Sequence, residues 1–336
     1  MKRTSLPLLR REFITLLGGA MAWPLAARAQ QAERVRRVAM LTTANDKLDD
    51  SDAPSKVFAE ALAKLGWIAG RNVIIDRRAS GTGDDRLVRA YAADAVAAAP
   101  DIIVCPGTQV TAILQQQTRT IPIVFVNVSD PVGSGLVASF AHPGGNITGF
   151  TNMEASFAGR WLGLLKDVAP SVSKVLVLSY PDNPNWRGYL PLIEAAAQAL
   201  GVSIGVTQVA DIGEITRGIE AFAREPGAGM VVLPSGLMNA NRDTIPRLAA
   251  QYRLPAMYPV KFFAVSGGLA AYGSEYDEPY RRAAQYVDLI LRGAKPSDLP
   301  VQAPTKFELV INLKTARALG LAIAPAVLAI ADEVID

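Results

Sequence analysis

Cysteine and histidine are nearly missing from this chain, with one of each in 336 residues. Cys105 alone cannot form an internal disulfide. With His142 it falls far short of a zinc ligand set. Cys105 ends a strand expected to be buried, so it reads as a small packed residue rather than a nucleophile. His142 has no G-x-S-x-G elbow to serve, and no acid or nucleophile is paired with it by sequence. A dinucleotide fingerprint G-x-G-x-x-G is absent after the first expected strand; Gly144-Gly145-Asn146 is glycine-rich but follows no strand. Long apolar runs are scarce too. After Ala26 no run reaches the roughly 18 residues of a spanning helix, so the rest of the chain is expected to be soluble, with no stable membrane insertion. These absences leave no cofactor, no metal and no catalytic constellation to expect.

What is present starts at the N-terminus. Lys2-Arg3 and Arg10-Arg11-Glu12-Phe13 precede a short apolar run from Ile14 to Ala26, then Ala27-Arg28-Ala29. A charged start, a short apolar core and an A-x-A site form a signal peptide, and the paired arginines suggest the twin-arginine route. Residues 1–29 are therefore expected to be removed, leaving a soluble periplasmic protein that is not a lipoprotein. The segment carries Lys2, Arg3, Arg10, Arg11 and Arg28 against Glu12 alone. Taking these from 34 basic and 31 acidic residues leaves 29 and 30, a net charge of −1. No argument for nucleic acid survives that subtraction. Outside the cytoplasm there is no ATP or NAD(P)H, so capture, sensing or hydrolysis is expected rather than cofactor chemistry.

From Arg34 onward, β-branched runs alternate with Ala/Leu-rich helical runs. Strands are expected at 37–42, 72–77, 101–105 and 122–127, with helices at 54–65, 84–98 and 109–118 between them. The segment 129–151 breaks the rhythm and reads as a turn, a short helix and a glycine-rich extended piece. Alternation resumes with helices 156–168, 187–200, 212–223 and 241–252 and strands 174–179, 203–208, 229–234 and 255–258. This pattern predicts an α/β fold with two doubly wound parallel-sheet lobes. A last helix (279–292), strand (307–311) and helix (313–319) are too small for a third domain and must pack on existing lobes. The chain is expected to cross between lobes near 146–151, 267–272 and 300–307, giving a three-strand hinge. The lobes then comprise residues 30–148 plus 273–300 and residues 149–272 plus 301–336.

Three stretches carry a family likeness. They are Ile121–Val126 with Asp130-Pro131-Val132-Gly133-Ser134-Gly135, then His142-Pro143-Gly144-Gly145-Asn146-Ile147-Thr148-Gly149, and Tyr286–Val301 continuing into Pro304–Asn312. On these the chain resembles the type I periplasmic substrate-binding proteins of ABC transporters. Within them it is similar to short receptors that include tryptophan and tyrosine binders. His142 stands where the family usually has arginine, and the tail 322–331 lacks an expected proline and arginine. The resemblance implies a monomer that captures a small organic solute, an amino acid or similar, and hands it to an inner-membrane ABC permease. A sensor's ligand-binding partner and a two-domain periplasmic enzyme are the alternatives.

Ligands of open parallel sheets sit beyond the carboxyl ends of the strands. Thr42, Thr43 and Asn45 follow the first strand and are either ligand contacts or a solvated turn. Gly107, Thr108 and Gln109 follow the third, where Thr108 can cap a helix and the helix N-terminus can hold a carboxylate. Asp130 and Pro131 follow the fourth; Asp130 either accepts from a ligand ammonium or caps the short helix. In the second lobe Tyr180 and Asn183 follow one strand and Ser235 another. Tyr272, near the expected hinge, is as consistent with core as with pocket.

Overall fold

Two successive runs of alternating strands and helices build two sheets. The computed structural model describes residues 34–42, 53–79, 85–153, 157–181 and 186–336. The expected signal peptide lies outside them. The first sheet holds β1 (Arg36–Thr42), β2 (Val73–Ala79), β3 (Ile102–Pro106), β4 (Ile123–Ser129) and β5 (Ile147–Met153) in the order β2-β1-β3-β4-β5. Every pairing is parallel. Helices α1 (Ala53–Lys64), α2 (Asp85–Ala97) and α3 (Gly107–Gln117) connect them. β3 and β4 are buried at every residue. That is why they read as unbroken apolar runs: helices cover both faces. Val38, Met40, Val104 and Val124 face Phe58 and Leu62 of α1. Their alternates Ala39, Leu41, Ile103 and Phe125 face Val88 of α2 and Leu114 of α3.

The second sheet has the order β12-β11-β10-β9-β8-β6-β7. It contains β6 (Lys174–Ser179), β7 (Ser203–Gln208), β8 (Ala228–Val232), β9 (Ala256–Tyr258), β10 (Ala270–Ser274), β11 (Phe307–Asn312) and β12 (Glu333–Ile335). All pairings are parallel except β10 with β11. Its helices up to β10 are α4 (Ala158–Val168), α5 (Trp186–Leu200), α6 (Ile212–Phe222), α7 (Gly236–Ala240), α8 (Thr244–Gln251) and α9 (Lys261–Val265). Trp161 of α4 is fully buried, donates from Nε1 to the Tyr272 carbonyl at 2.8 Å and meets Tyr189 edge-on. α10 (Glu278–Leu291) then returns to the first lobe, where Tyr280, Ala283, Tyr286 and Val287 join the core beside Val38. The tail goes back: α11 (Leu313–Leu319) and α12 (Pro325–Ala329) close the second lobe.

The chain therefore passes between lobes after Met153, after Ser274 and between Gln302 and Phe307. These passages are bonded to one another. Gln302 N–H donates to the Gly149 carbonyl at 3.0 Å, and Thr151 N–H donates to the Gln302 carbonyl at 2.9 Å. Ser274 Oγ donates to the Asn152 carbonyl at 2.8 Å.

Several local expectations shift. The lobe limits read at 148/149 and 272/273 fall inside β5 and β10. Residues 147–153 are a strand because Gly149 admits β4 at close range: a Cβ there would lie 2.0 Å from the Phe125 carbonyl oxygen. Its φ of +153° is also one that side-chain-bearing residues avoid. The short helix expected after Pro131 is a series of turns. The helix expected at 241–252 starts only at Thr244 as α8, and an unexpected short helix, α7, precedes it, closed where the Asn241 side chain donates back to the Leu237 carbonyl at 2.9 Å. The expected all-parallel second sheet contains one antiparallel pair, since β11 returns from the first lobe against β10. No helix among the described residues is long and apolar enough to cross a membrane.

Candidate functional site

A cleft of about 780 Å³, counted to its mouth, lies between the lobes at the carboxyl ends of the strands. The first lobe lines it with Val88, residues 106–110, Asn127, Ser129 and Asn152. The second contributes Tyr180, Pro234, Ser235, Gly236, Asn239 and Val260, and Tyr276 comes from the second hinge passage.

α3 aims its N-terminus at this space. Pro106 ends β3, and Gly107 turns the chain with φ +73°, a left-handed value that glycine takes without penalty. Pro106 occupies the N-cap and no side chain caps the helix. The Thr108 hydroxyl is used elsewhere: it accepts from Ser129 N–H at 3.3 Å and donates to the Ser129 carbonyl at 3.2 Å. This clamps the helix start to the end of β4. The positive end of the eleven-residue helix thus meets the cleft without an acidic residue in its first turn. The arrangement suits an anionic group such as a carboxylate.

The opposite wall is shaped by two irregularities in the β4/β5 ladder. Phe125 pairs with Gly149, Val128 with Thr151 and Ser129 with Met153, so β4 and then β5 each carry one extra residue. Bulges of this kind re-aim a side chain. Here they turn Asn127 and Asn152 to the cleft. Asn127 is nearly buried and takes a φ of +54°. Its Nδ2 donates to the Tyr276 carbonyl at 3.1 Å, while its Oδ1 is buried with no partner. Ser129 Oγ donates to Asn152 Oδ1 at 2.9 Å.

From the second lobe, Tyr180 faces the cleft, and its hydroxyl accepts from Gln109 Nε2 at 3.4 Å across the gap. Ser235 Oγ caps α7 by accepting from Met238 N–H at 3.2 Å. Val88, Val110, Val260, Tyr180 and Tyr276 give the cleft an apolar wall. Among the described residues no charged side chain lines it. A neutral or zwitterionic ligand fits such a lining better than a net ion, whose uncompensated charge would be costly to bury.

Of the residues singled out by sequence, Gly107, Thr108, Gln109, Tyr180 and Ser235 meet in the cleft. Thr42 is buried at the end of β1 and is not among the lining residues. Asp130 turns away, its carboxylate accepting from Gly133 N–H at 2.9 Å in its own turn. Pro131 is buried in that turn, its carbonyl accepting from Leu136 N–H at 2.9 Å. Tyr272 packs in the second core, with Phe307 stacked on its ring and Arg160 4.9 Å above it. Thr43, Asn45 and Asn183 lie outside the described residues. Sequence reasoning missed Asn127, Asn152, Asn239 and Tyr276. An asparagine inside the apolar run Ile123–Ser129 was the available signal. Cys105 lies behind α3 in the first core, where burial pushes its thiol up to about 12 despite the Thr111 hydroxyl beside it.

Residues 47–335 match the sequence profile of a family described as ABC transporter substrate binding protein. A tyrosine-binding protein of Clostridioides difficile is 24% identical over 270 residues, covering 80% of this chain and 77% of that one. Among solved structures, a conserved domain protein from Vibrio cholerae superposes with a TM-score of 0.81 at 26% identity. It is matched over 100% of its length and 90% of this chain. An ABC domain from Streptococcus pneumonia in complex with L-Trp gives 0.80 at 24% identity, with the same coverage.

Proposed function

The chain belongs to the family of ABC transporter substrate-binding proteins, and from that premise we propose that it captures a zwitterionic amino acid with an apolar side chain by closing its lobes. The observation that carries this reading is the cleft itself. An uncapped helix N-terminus, polar asparagines and an apolar wall face one another from two lobes joined by three bonded passages. The ligand carboxylate lies at Gly107 and Thr108, and its side chain lies along Val260, Tyr180 and Tyr276. Contacts to both lobes favour the closed form by as much as the ligand's differential affinity for it. The tyrosine and tryptophan relatives support an aromatic side chain. Residues 1–29 direct export by the twin-arginine route, and the mature monomer works in the periplasm. It delivers its ligand to an inner-membrane ABC permease and performs no chemistry on it.

A thermal-shift panel of the mature chain against the common amino acids, small peptides and sugars tests this. A ligand at 100 times its dissociation constant adds about 2.7 kcal/mol of stability. A shift with L-tryptophan, L-tyrosine or another apolar amino acid is expected, with the ligand recovered unchanged. Response only to sugars, or conversion of the ligand, would overturn the reading.

A further inference from the structure

Two residues that line the cleft carry a buried side-chain oxygen with no donor. Asn127 Oδ1 belongs to the first lobe and Asn239 Oδ1 to the second, and both are buried without a partner. Asn127 cannot relieve this by rotating its amide, because its Nδ2 is already committed to the Tyr276 carbonyl. Its backbone is equally fixed, since the β4 bulge holds it at φ +54°. Native proteins seldom leave a buried acceptor unpaired, and one on a cleft-lining residue calls for a donor from a ligand or water.

We propose that Asn127 and Asn239 accept hydrogen bonds from the ammonium group of the ligand, so that neutral amides, not a carboxylate, read the amine. This rests on the amino-acid reading of the same cleft. Two acceptors from opposite lobes call for a group with more than one N–H. A primary ammonium supplies three and brings no lone pair needing a donor of its own. A hydroxyl supplies one donor and adds acceptors to satisfy. Because one amide stands on each lobe, both are satisfied together only when the lobes are closed over the ligand. The amine then reports closure as well as identity. The Asn127 bond to Tyr276 ties the reader to the second hinge passage.

The probes are L-tryptophan and L-tyrosine with their deaminated counterparts, 3-(indol-3-yl)propanoate and 3-(4-hydroxyphenyl)propanoate, titrated by calorimetry. The wild-type protein is expected to prefer the amine-bearing partner of a pair by on the order of 100-fold, since hydrogen bonds to charged groups are the strong ones. Asn127→Gly keeps the left-handed backbone and removes the acceptor; the ratio of amine-bearing to deaminated affinity should fall about 10-fold or more. Asn239→Ala, on the other lobe, should lower the preference without touching the bulge. Asn127→Asp keeps an acceptor and should keep the preference. Equal wild-type affinity for amine and deaminated acid would overturn the proposal, as would an unchanged preference in both Asn127→Gly and Asn239→Ala. If wild type binds neither amino acid, the amino-acid reading fails first and this inference falls with it, a result distinct from binding without amine preference.

Discussion

Gly107 offers the cleanest separation of folding from binding. A Cβ built on it meets no atom within 4 Å, so Gly107→Ala introduces no clash. The cost is conformational. Holding a non-glycine residue at φ +73° costs about 1–2 kcal/mol. Alanine restricts the unfolded chain, which returns about 0.4–1 kcal/mol. The net loss is therefore about 1 kcal/mol, a fall in Tm of roughly 2–4 °C for a domain of this size. The effect on binding is larger. The added methyl stands in open space where the chain enters α3, the place assigned to the ligand carboxylate. The stabilisation of about 2.7 kcal/mol from ligand at 100 times its dissociation constant should largely vanish. Melting curves of wild type and variant, each with and without saturating L-tryptophan or L-tyrosine, give both quantities. A variant with the small drop in Tm but a full ligand-induced shift would refute a carboxylate at the start of α3. Complete unfolding would refute the open space above Gly107.

Other expectations follow from the same structure. Trp161→Ala should cost about 3–5 kcal/mol in urea unfolding, because a fully buried indole and its bond to the Tyr272 carbonyl are lost together; a loss under 1 kcal/mol would contradict the packing. Cys105, with its thiol raised to about 12 and fully buried, should resist a thiol reagent at pH 8 in the native protein and react at once in denaturant. Glu308 is pushed up by burial first, with Glu333 and Glu275 adding to the rise and Lys261 and Lys306 opposing it. The native state then holds its proton to higher pH than the unfolded chain. Stability contributed by the protonated form is present below the ordinary carboxylate range and declines as pH rises through the native value. Glu308→Gln should flatten that part of the stability-pH curve; an unchanged slope would show that Glu308 does not titrate differently in the two states.

How much of this was legible in the sequence depended on what each residue answers to. β3 and β4 were plain because a strand covered on both faces is written as an apolar run, and α11 was read at its observed limits. The start of α3 was legible only to within two residues: Gly107 and Thr108 after a strand end announce a helix, but Thr108 does not cap it, because its hydroxyl bonds the Ser129 backbone instead. β5 was obscured because Gly149 serves a close approach to Phe125 rather than a turn. Asp130 was ambiguous for a physical reason: a carboxylate after a strand can bind a ligand or close its own turn, and only the folded chain shows the bond from Gly133. Asn127 and Asn152 were hidden because their direction is set by bulges, and a one-residue slip in a ladder leaves no periodic trace. Asn239 went unseen because the sequence pattern placed it before a single long helix. The short tail elements α12 and β12 escaped because they are stable only against the second lobe.

The central claim is that ligand closes the two lobes on one another. Small-angle scattering of the mature chain, alone and with saturating L-tryptophan or L-tyrosine, measures this directly. With ligand, the scattering profile should converge on that calculated from the closed arrangement in which Gln109 touches Tyr180, with a smaller radius of gyration than the free chain. Calorimetrically confirmed binding that leaves the free chain's profile unchanged, away from that arrangement, would contradict hinge closure.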